Sequence, residues 1–423
     1  MILKKRFAAL LAALLFSTLF LVQQWQQLRG VFWAQQQLWG PEWPANATLG
    51  FGAVLAVSGP DSPRRSALLQ AANVTGLELT VPDQPRWTEE HVDAFNKALE
   101  PTEQGTGRGS VFSWLSHANA VQWFLDSGLE TALIIEDDVD WDIHLRSVQI
   151  PAAAASTRDL LASSYASDSS SSSRGGNRGY YWGNPAAWDV LWVGHCGDWF
   201  QEIQDGIGRP GFHAPSNLTT VGARLFNDSS LPTRADLHPF TRDFFDALQV
   251  PEGMRFVHNS ILPLCTFGYA INRPSAQRLL SEIANSSAPL DPAFDMAMMH
   301  GCKYKGLRCY TVNPELFHHV LGDSLIAAVD QREEIFPPPV DAAGFDQTRE
   351  RNETSNVACG FWSGDFAFDS AERLEVLREE VGRKGRCLKP GREGMPPAVG
   401  EGGIPSGGGE GIPSGDGVEE GGN

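Results

Sequence analysis

Basic residues are scarce in this chain of 423 residues, which has 33 Lys and Arg against 51 Asp and Glu and a formal net charge of −18. Nucleic-acid binding depends on an excess of Lys and Arg that neutralises phosphates, so this deficit argues against general nucleic-acid binding. Cysteine is scarce as well, with six residues and no Cys-x-x-Cys pair among them. The absence of that spacing argues against a zinc site.

The N-terminus lacks a clear small-x-small cleavage site after its apolar run Phe7–Val22, which follows Lys4-Lys5-Arg6. A cleaved signal peptide has a similar basic start and apolar centre. As a helix the run would span about 24 Å, which suits the thinner membranes of the early secretory pathway. Trp25 suits an interfacial position, and the basic flank favours a cytosolic N-terminus. We therefore expect an uncleaved signal anchor and a single-pass type II protein of the endoplasmic reticulum or Golgi membrane.

Glycosylation sequons and cysteines favour the same compartment. Six Asn-x-Ser/Thr sequons follow the apolar run, at Asn46, Asn73, Asn217, Asn227, Asn285 and Asn352. The six cysteines also lie beyond the run, and 15 pairings are possible. Cys302 and Cys309 are close enough in sequence to staple a local loop.

Composition divides the chain into segments. We expect a cytosolic tail over 1–6, the anchor over 7–22, a Gln- and Trp-rich stem over 23–49 and a catalytic domain over 50–387. Within that domain, the Ser/Ala-rich segment 151–179 is predicted to be a flexible surface insertion. Residues 388–423 are rich in Gly and Pro and are predicted to be disordered.

Strand-like and helix-like patterns alternate within the domain, which predicts an α/β fold with a mostly parallel sheet flanked by helices. The predicted strands are 51–57, 133–135, 190–193, 266–271 and 308–312. The predicted helices are 66–72, 113–128, 275–283 and 291–300.

An acidic cluster ends the second of these strands. Glu136-Asp137-Asp138 follows the apolar run Ala132–Ile135, and Asp140 lies two residues further on. Mg²⁺ and Mn²⁺ prefer such oxygen ligands and often retain substrate phosphates, so the cluster indicates a metal site that holds a diphosphate. A solvated acidic turn is the alternative. If the segment is extended, Glu136 and Asp138 face the same side, and Asp137 points away.

Six segments together resemble glycosyltransferase family 25, which includes lipopolysaccharide and collagen galactosyltransferases. They cover much of residues 50–320 in the family's order, and a fungal-type member fits best. The segments are Ser62-Pro63-Arg64-Arg65 after the first strand, Gly109–His117, Leu133–Val139, Asp189–Gly194, Gly268–Arg273, and Asp291–Asp295 with Tyr310–Phe317. The chain departs from the family where His318-His319 replaces a Gln-containing ending.

The resemblance implies a GT-A-like (Rossmann-like) fold and inverting transfer of a sugar from a nucleotide-sugar donor. For the best-known relatives this is UDP-galactose, used with Mn²⁺. The acceptor would be a glycan or glycoprotein, and the oligomeric state is open. Asp295 is the first candidate for the catalytic base that removes the acceptor proton, and Asp291 is the second. Alternatively, Asp291 starts its helix.

Other side chains are assigned to the donor. Asp138 is the predicted direct metal ligand, with Glu136 as ligand or ribose contact and His319 as a further ligand. Asp140 is expected to be a solvated turn residue, and His318-His319 could equally be a polar loop pair. Arg64 and Arg65 suit bidentate diphosphate contacts, or form an ordinary solvated helix start. His117 is assigned to the donor site, with a buried structural role in its helix as the alternative.

Two further functions remain open from the sequence. A glycoside hydrolase would need two carboxyl groups that flank the scissile bond, which one contiguous acidic cluster does not naturally supply. A non-catalytic, membrane-anchored lumenal carbohydrate-binding protein would bind neither metal nor nucleotide.

Overall fold

The computed structural model describes residues 45–99, 106–166, 180–198, 222–231, 239–248, 250–319 and 366–388, with residues 234 and 237. The predicted anchor, most of the predicted stem and the tail from residue 389 onward lie outside this part. Among the described helices, none combines the length and the apolar character that a membrane crossing requires.

The centre of the molecule is one eight-stranded sheet. Its strands are β1 (Ala53–Val57), β2 (Leu79–Thr80), β3 (Thr131–Glu136), β5 (Val190–Gly194), β7 (Ala223–Asn227), β8 (Met254–Asn259), β10 (Gly268–Asn272) and β11 (Cys309–Asn313). Their order is β2-β1-β3-β10-β5-β11-β8-β7. Only β10 and β8 run against their neighbours, so the other six strands share one direction. The predicted α/β fold with a mostly parallel sheet is confirmed at this level.

Two short ribbons complete the strands. β4 (Val139–Trp141) pairs antiparallel with β12 (Phe317–His319), and β6 (Gly197–Asp198) pairs antiparallel with β9 (Pro263–Leu264). Neither β4 nor β12 was expected from the sequence, because both are too short to show an alternating pattern.

Helices cover both faces of the sheet. They are α1 (Arg65–Thr75), α2 (Glu89–Ala98), α3 (Arg108–Ser127), α4 (Ile150–Ala166), α5 (Pro239–Ala247), α6 (Arg273–Arg278), α7 (Phe294–Tyr304) and α8 (Ala371–Leu377). One apolar core lies between the sheet and α1, α4 and α8. The other lies between the sheet and α2, α3, α6 and α7.

Alternation along the strands builds both cores. In β3, Leu133 and Ile135 face the first core, whereas Ala132 and Ile134 face the second. Successive side chains of a strand point to opposite faces, so a wholly apolar strand serves two layers at once. Full burial of each large apolar side chain contributes about 1.5–3 kcal/mol.

The prediction for residues 151–179 is wrong over its first half, because residues 150–166 form helix α4. Ala153, Leu160 and Leu161 are at most 2 % exposed, and Asp159 pairs with Arg224 of β7 at 2.7 Å. Alanine is the strongest helix former, so an alanine run indicates a helix as readily as it indicates a flexible segment that cannot form a hydrophobic core. Residues 167–179, with the serine run, lie outside the described part.

The domain also begins earlier than the predicted residue 50. Ala45 and Leu49 are buried in the first core. The Leu49 carbonyl accepts a hydrogen bond of 2.7 Å from the Trp182 indole, and the Ala45 carbonyl accepts hydrogen bonds from Arg146. The last residues of the predicted stem are therefore part of the fold.

Disulfides tie two places together. Cys302 of α7 is bonded to Cys309 of β11, a local loop that their spacing allowed, and Cys196 is bonded to Cys265. Cys387 is disulfide-bonded as well.

Candidate functional site

The candidate site begins where β1 and β3 end together. These neighbouring strands are parallel and in register from Ala53↔Ala132 to Val57↔Glu136. The polar residues that follow them therefore meet at one edge of the sheet, where ligands bind in open α/β folds. Here the Ser58 hydroxyl donates to Asp137 Oδ2 at 2.6 Å.

The acidic run does not continue as a strand, so the expectation that Glu136 and Asp138 share one face is wrong. β3 ends at Glu136, and Asp137 and Asp138 form a turn before β4. Glu136 is directed to Thr266 and His117, whereas Asp138 is directed to Arg64 and His319. Alternation holds only while the chain is extended, and the turn separates the two carboxylates into two groups.

We call Arg64, Asp138 and His319 the cleft cluster. Arg64 Nη1 lies 2.9 Å from Asp138 Oδ2, and His319 Nε2 lies 3.4 Å from the same oxygen. The three side chains are 16 %, 15 % and 37 % exposed, so solvent and ligands reach them. The β4–β12 pairing places His319 opposite Val139, and its ring stacks on Phe267 at 4.8 Å.

Charges within the cleft cluster shift the pKa values of its members. Burial alone raises the pKa of Asp138, but the hydrogen bond to His319 and the charges of His319 and Arg64 outweigh it and lower that pKa. Burial lowers the pKa of His319, but the hydrogen bond and the charge of Asp138 outweigh it and raise that pKa. Burial raises the pKa of Asp137, although the hydrogen bond from Ser58 opposes it. An ionised Asp138 beside a cation is the state that these shifts favour.

The donor set of the cleft cluster fits a divalent metal ion in part. Asp138 Oδ1 is buried and has no hydrogen-bond partner within the described residues, so this oxygen has capacity for a ligand. An imidazole and a carboxylate are both accepted by Mn²⁺. Within the described part of the chain, however, no group of three or more His, Cys, Asp or Glu side chains is arranged around one metal position. Two protein ligands leave room for phosphate oxygens and waters, as sites for Mg²⁺ commonly do.

A second group forms around Glu136. Its Oε1 accepts a hydrogen bond of 2.7 Å from the Thr266 hydroxyl and lies 3.3 Å from His117 Nε2. His117 Nδ1 is 3.1 Å from the Tyr269 hydroxyl, and the His117 ring stacks on Phe294. His117 is 1 % exposed, so it supports Glu136 from behind and does not face a ligand itself. The structural alternative for His117 therefore describes its position better than the donor-site assignment.

Asp295 joins this second group. Its Oδ2 accepts from the Cys265 backbone N–H at 3.3 Å and its Oδ1 from the Met296 N–H at 2.8 Å. Burial raises the pKa of Asp295; these hydrogen bonds lower it, and the negative charge of Glu136 adds to the rise. A carboxylate with a raised pKa close to another carboxylate has the properties of a general base.

Asp291 is placed elsewhere. Its Oδ1 lies 2.7 Å from His300 Nδ1, and its side chain is 8 % exposed. α7 begins at Phe294 with Ala293 as its cap, so Asp291 does not start the helix either. The structure thus brings together Asp295 and Glu136, and pairs Asp291 with His300.

Arg65 is also separated from its neighbour Arg64. Its guanidinium donates to the Ser58 hydroxyl at 3.2 Å and to the carbonyls of Ser58 and Gly59. It holds the loop after β1 in place, whereas Arg64 contacts the acidic turn. The expectation that both arginines contact a diphosphate therefore has geometric support for Arg64 alone.

Two residues expected at the surface are buried. Asp140 is 3 % exposed and lies in β4, where it faces His318 of β12, so its assignment as a solvated turn residue is wrong. The imidazole of His318 lies 3.1 Å from Glu315. The pair His318-His319 is a strand and not a loop, and its two rings enter different environments.

Several residues of the site carried no signal in the sequence. Thr266 and Ser58 contact the acidic residues but belong to no motif, whereas Tyr269, which contacts His117, lies in the segment Gly268–Arg273 singled out above. Thr266 and Tyr269 flank the start of β10, whose antiparallel position beside β3 brings Thr266 to Glu136 and Tyr269 to His117. A strand order inferred in advance would have identified them; composition and periodicity do not.

Comparison with known proteins adds no further assignment. No family model matches the sequence, and no curated protein matches it significantly.

Proposed function

We propose that this chain is a metal-dependent, inverting glycosyltransferase that moves a sugar from a nucleoside diphosphate donor to a hydroxyl of a glycan or glycoprotein. The observation that carries the proposal is the cleft cluster. At the carboxyl ends of two parallel strands, Arg64 and His319 both approach Asp138, whose buried Oδ1 has no hydrogen-bond partner in the described part of the chain. A GT-A-like arrangement, as the resemblance implies, is part of this proposal.

Binding of the donor falls to the cleft cluster. Asp138 and His319 would hold the metal ion, Mn²⁺ in the first instance, which when bound supplies Lewis-acid stabilisation of the leaving diphosphate. Arg64 suits a phosphate because its planar guanidinium donates two parallel hydrogen bonds. It now lies against Asp138, so donor binding would exchange one anionic partner of Arg64 for another.

Proton removal falls to the second group. In inverting transfer the acceptor oxygen forms a bond to the anomeric carbon, while the bond from that carbon to the diphosphate oxygen breaks. The acceptor proton passes to a carboxylate within hydrogen-bond reach. Asp295 is the proposed base, and Glu136, held by Thr266 and His117, is its charged neighbour.

The same pair of carboxylates supports a second candidate, a glycoside hydrolase. Such enzymes need two carboxyl groups with separated pKa values, and Glu136 influences the pKa of Asp295. The hydrolase would release sugar from a glycoside without any nucleotide, and the cleft cluster would then have no catalytic role.

Thermal stability of the purified domain, measured with Mn²⁺ and a panel of nucleoside diphosphates, tests the proposal. A ligand that binds only the folded state raises the unfolding midpoint by mass action. We expect a rise that requires both the metal and one nucleotide, and then transfer from the corresponding nucleotide sugar. A folded sample that shifts with no pair would contradict the transferase. Glycoside hydrolysis would then identify the hydrolase, and glycan binding without hydrolysis the carbohydrate-binding protein.

The proposed location is the lumen of the endoplasmic reticulum or Golgi, behind a type II anchor. The disulfides Cys196–Cys265 and Cys302–Cys309 support an oxidising compartment, as does the disulfide-bonded Cys387. Of the four described sequons, Asn46 and Asn227 are exposed and Asn285 is half-buried, whereas the Asn73 side chain accepts a hydrogen bond from Arg378 beyond α8. We expect glycans at the first three and an unmodified Asn73, because a glycan there would displace Arg378. Peptide mass spectrometry after glycosidase treatment measures this, and an unglycosylated chain from secretory cells would refute the location.

A further inference from the structure

Residues 265–267 connect both parts of the candidate site. The Cys265 N–H donates to Asp295, the Thr266 hydroxyl donates to Glu136, and the Phe267 ring stacks on His319. The Phe267 carbonyl also accepts the Glu136 N–H at 3.1 Å. Three consecutive residues thus contact the proposed base, its charged neighbour and a proposed metal ligand.

The conformation of this segment is fixed and unusual. Cys265 has φ +65°, and among the described residues only Leu49 is another non-glycine residue with positive φ. Side chains with a Cβ rarely adopt this region, and they keep it where the surroundings determine the backbone. At Cys265 the chain turns so that its N–H reaches Asp295 and the next hydroxyl reaches Glu136.

The surroundings that determine this backbone lie on the opposite side of the segment. The disulfide joins Cys265 to Cys196, and the Cys196 N–H donates to the Leu264 carbonyl at 3.0 Å. The buried carboxylate of Asp198 accepts the N–H groups of Ile261 and Leu262 at 3.1 and 2.6 Å. On this side, segment 261–265 is therefore held by β6 and the disulfide.

We infer that the Cys196–Cys265 disulfide is a positioning element of the active site, which sets the Asp295 and Glu136 carboxylates through residues 265 and 266. This inference rests on the proposed function. By this inference the other bridge, Cys302–Cys309, does not position the two carboxylates and only links two elements of the fold. That bridge joins α7 to β11, and its two cysteines are 7 residues apart, against 69 for Cys196–Cys265.

The test compares two double variants of the full chain from a secretory host, Cys196→Ala/Cys265→Ala and the control Cys302→Ala/Cys309→Ala. Each removes one disulfide and leaves no unpaired partner. The measurements are kcat, KM for the acceptor, the Kd of the nucleoside diphosphate with Mn²⁺, and Tm, with assays at temperatures well below the Tm of both variants.

For the first variant, Cys196→Ala/Cys265→Ala, we expect kcat to fall at least about 10-fold. The nucleotide Kd should change less than about 3-fold, since the β4–β12 pairing still places His319. The control should keep its kcat. An unfolded fraction would lower the apparent kcat and leave the Kd of the folded remainder unchanged, so kcat is expressed per nucleotide-binding site counted by titration. A folded first variant with the kcat of the unmodified protein overturns the inference.

Two single variants decide the question if the first double variant does not fold. Thr266→Val removes the hydroxyl that holds Glu136 with little change in volume, and Thr266→Ser restores it. We expect kcat to fall about 10-fold in the valine variant and to be largely recovered in the serine variant. Equal activity of Thr266→Val and the unmodified protein overturns the inference.

Hydrogen exchange separates failure of the positioning role from failure of the proposed function. In the Cys196→Ala/Cys265→Ala variant, the amides of residues 264–267 and Met296 should exchange faster than in the unmodified protein, whether or not transfer occurs. Transfer activity of the unmodified protein is measured first, and its absence counts against the transferase alone. Unchanged exchange at these amides counts against the positioning role alone.

Discussion

Two groups of charged side chains meet at β12, and each of them includes one of its two adjacent histidines. His319 belongs to the cleft cluster with Asp138 and Arg64, whereas His318 pairs with Glu315 inside the protein. The Glu315 carbonyl accepts a hydrogen bond from Arg255, which forms an ion pair of 2.8 Å with Asp228. We call Asp228, Arg255, Glu315 and His318 the interior cluster.

The difference between the clusters lies in their contact with solvent. Side chains of the interior cluster are 0–10 % exposed, and those of the cleft cluster are 15–37 % exposed. Arg255 is enclosed by Asp228 and the carbonyls of Pro314 and Glu315, so its charge is compensated within the protein. Arg64 and His319 meet a carboxylate that a ligand can reach. The same residue types are therefore enclosed by the fold in one place and accessible to a ligand in the other.

Asp138→Asn should produce the largest effect, and on activity alone. Loss of the charge removes the proposed metal ligand, so we expect transfer to fall at least about 100-fold, which corresponds to about 2.7 kcal/mol in the activation free energy. Tm should change little, because the asparagine still accepts a hydrogen bond from Arg64. The matched control is Asp61→Asn, an exposed carboxylate paired with Arg86. Full activity of Asp138→Asn would remove the metal-site assignment.

Arg255→Met should produce the opposite result, a loss of stability. It leaves Asp228 buried without its partner, and breaking a buried ion pair on one side costs about 3–5 kcal/mol. Urea unfolding measures this cost. Arg64→Met is the control from the cleft cluster and should cost at most about 1 kcal/mol, since its ion pair is accessible to solvent. Equal losses in the two variants would show that exposure does not distinguish the clusters.

The sequence predicted the strand that leads to this site but not the partners of its acidic residues. The apolar run before Glu136 and the helical period before Gly128 identified β3 and α3, because burial imposes those patterns locally. The separation of Glu136 from Asp138 depends on a turn, and the contact of Asp138 with His319 depends on a three-residue ribbon between segments about 180 residues apart. Long-range pairing of this kind leaves no periodic signal. Alanine-rich α4 was misread for a different reason, since composition alone does not distinguish a helix of small residues from an unfolded segment.

Asp142 lies beside the interior cluster, where the charges of Asp228 and Arg255 act on it. Asp142→Asn should have a moderate effect, a change in how stability depends on pH. Burial raises the pKa of Asp142 to about 8, although its hydrogen bond from the His144 N–H opposes the shift. In the unfolded chain the group ionises near its ordinary value, so between about pH 4 and pH 8 the folded state binds one more proton. Its contribution to stability therefore falls as pH rises through this range and is constant above it. The asparagine variant lacks this titration but keeps the acceptor for the His144 N–H.

Thermal midpoints between pH 5 and pH 9 measure the contribution of Asp142. We expect the unmodified protein to lose several degrees relative to Asp142→Asn as pH rises from 5 to 8, about 2–4 °C for each kcal/mol in a domain of this size. Parallel curves for the two proteins would show that Asp142 does not bind the additional proton. Activity per folded molecule should be equal at each pH, because Asp142 has no contact with the cleft cluster.

The smallest effect should distinguish two adjacent arginines. Arg64→Gln removes the guanidinium that faces Asp138, so we expect the Kd of the nucleoside diphosphate to rise about 10-fold, the loss of one charge-assisted contact. Arg65→Gln removes a donor to the Ser58 and Gly59 carbonyls, so it should change the Kd less than about 3-fold and lower Tm instead. Calorimetric titration with Mn²⁺ present measures both affinities. Equal loss of affinity in the two variants would mean that Arg65 leaves its loop and contacts the ligand on binding. The distinction between Arg65, which supports the loop, and Arg64, which binds the ligand, would then hold only for the ligand-free protein.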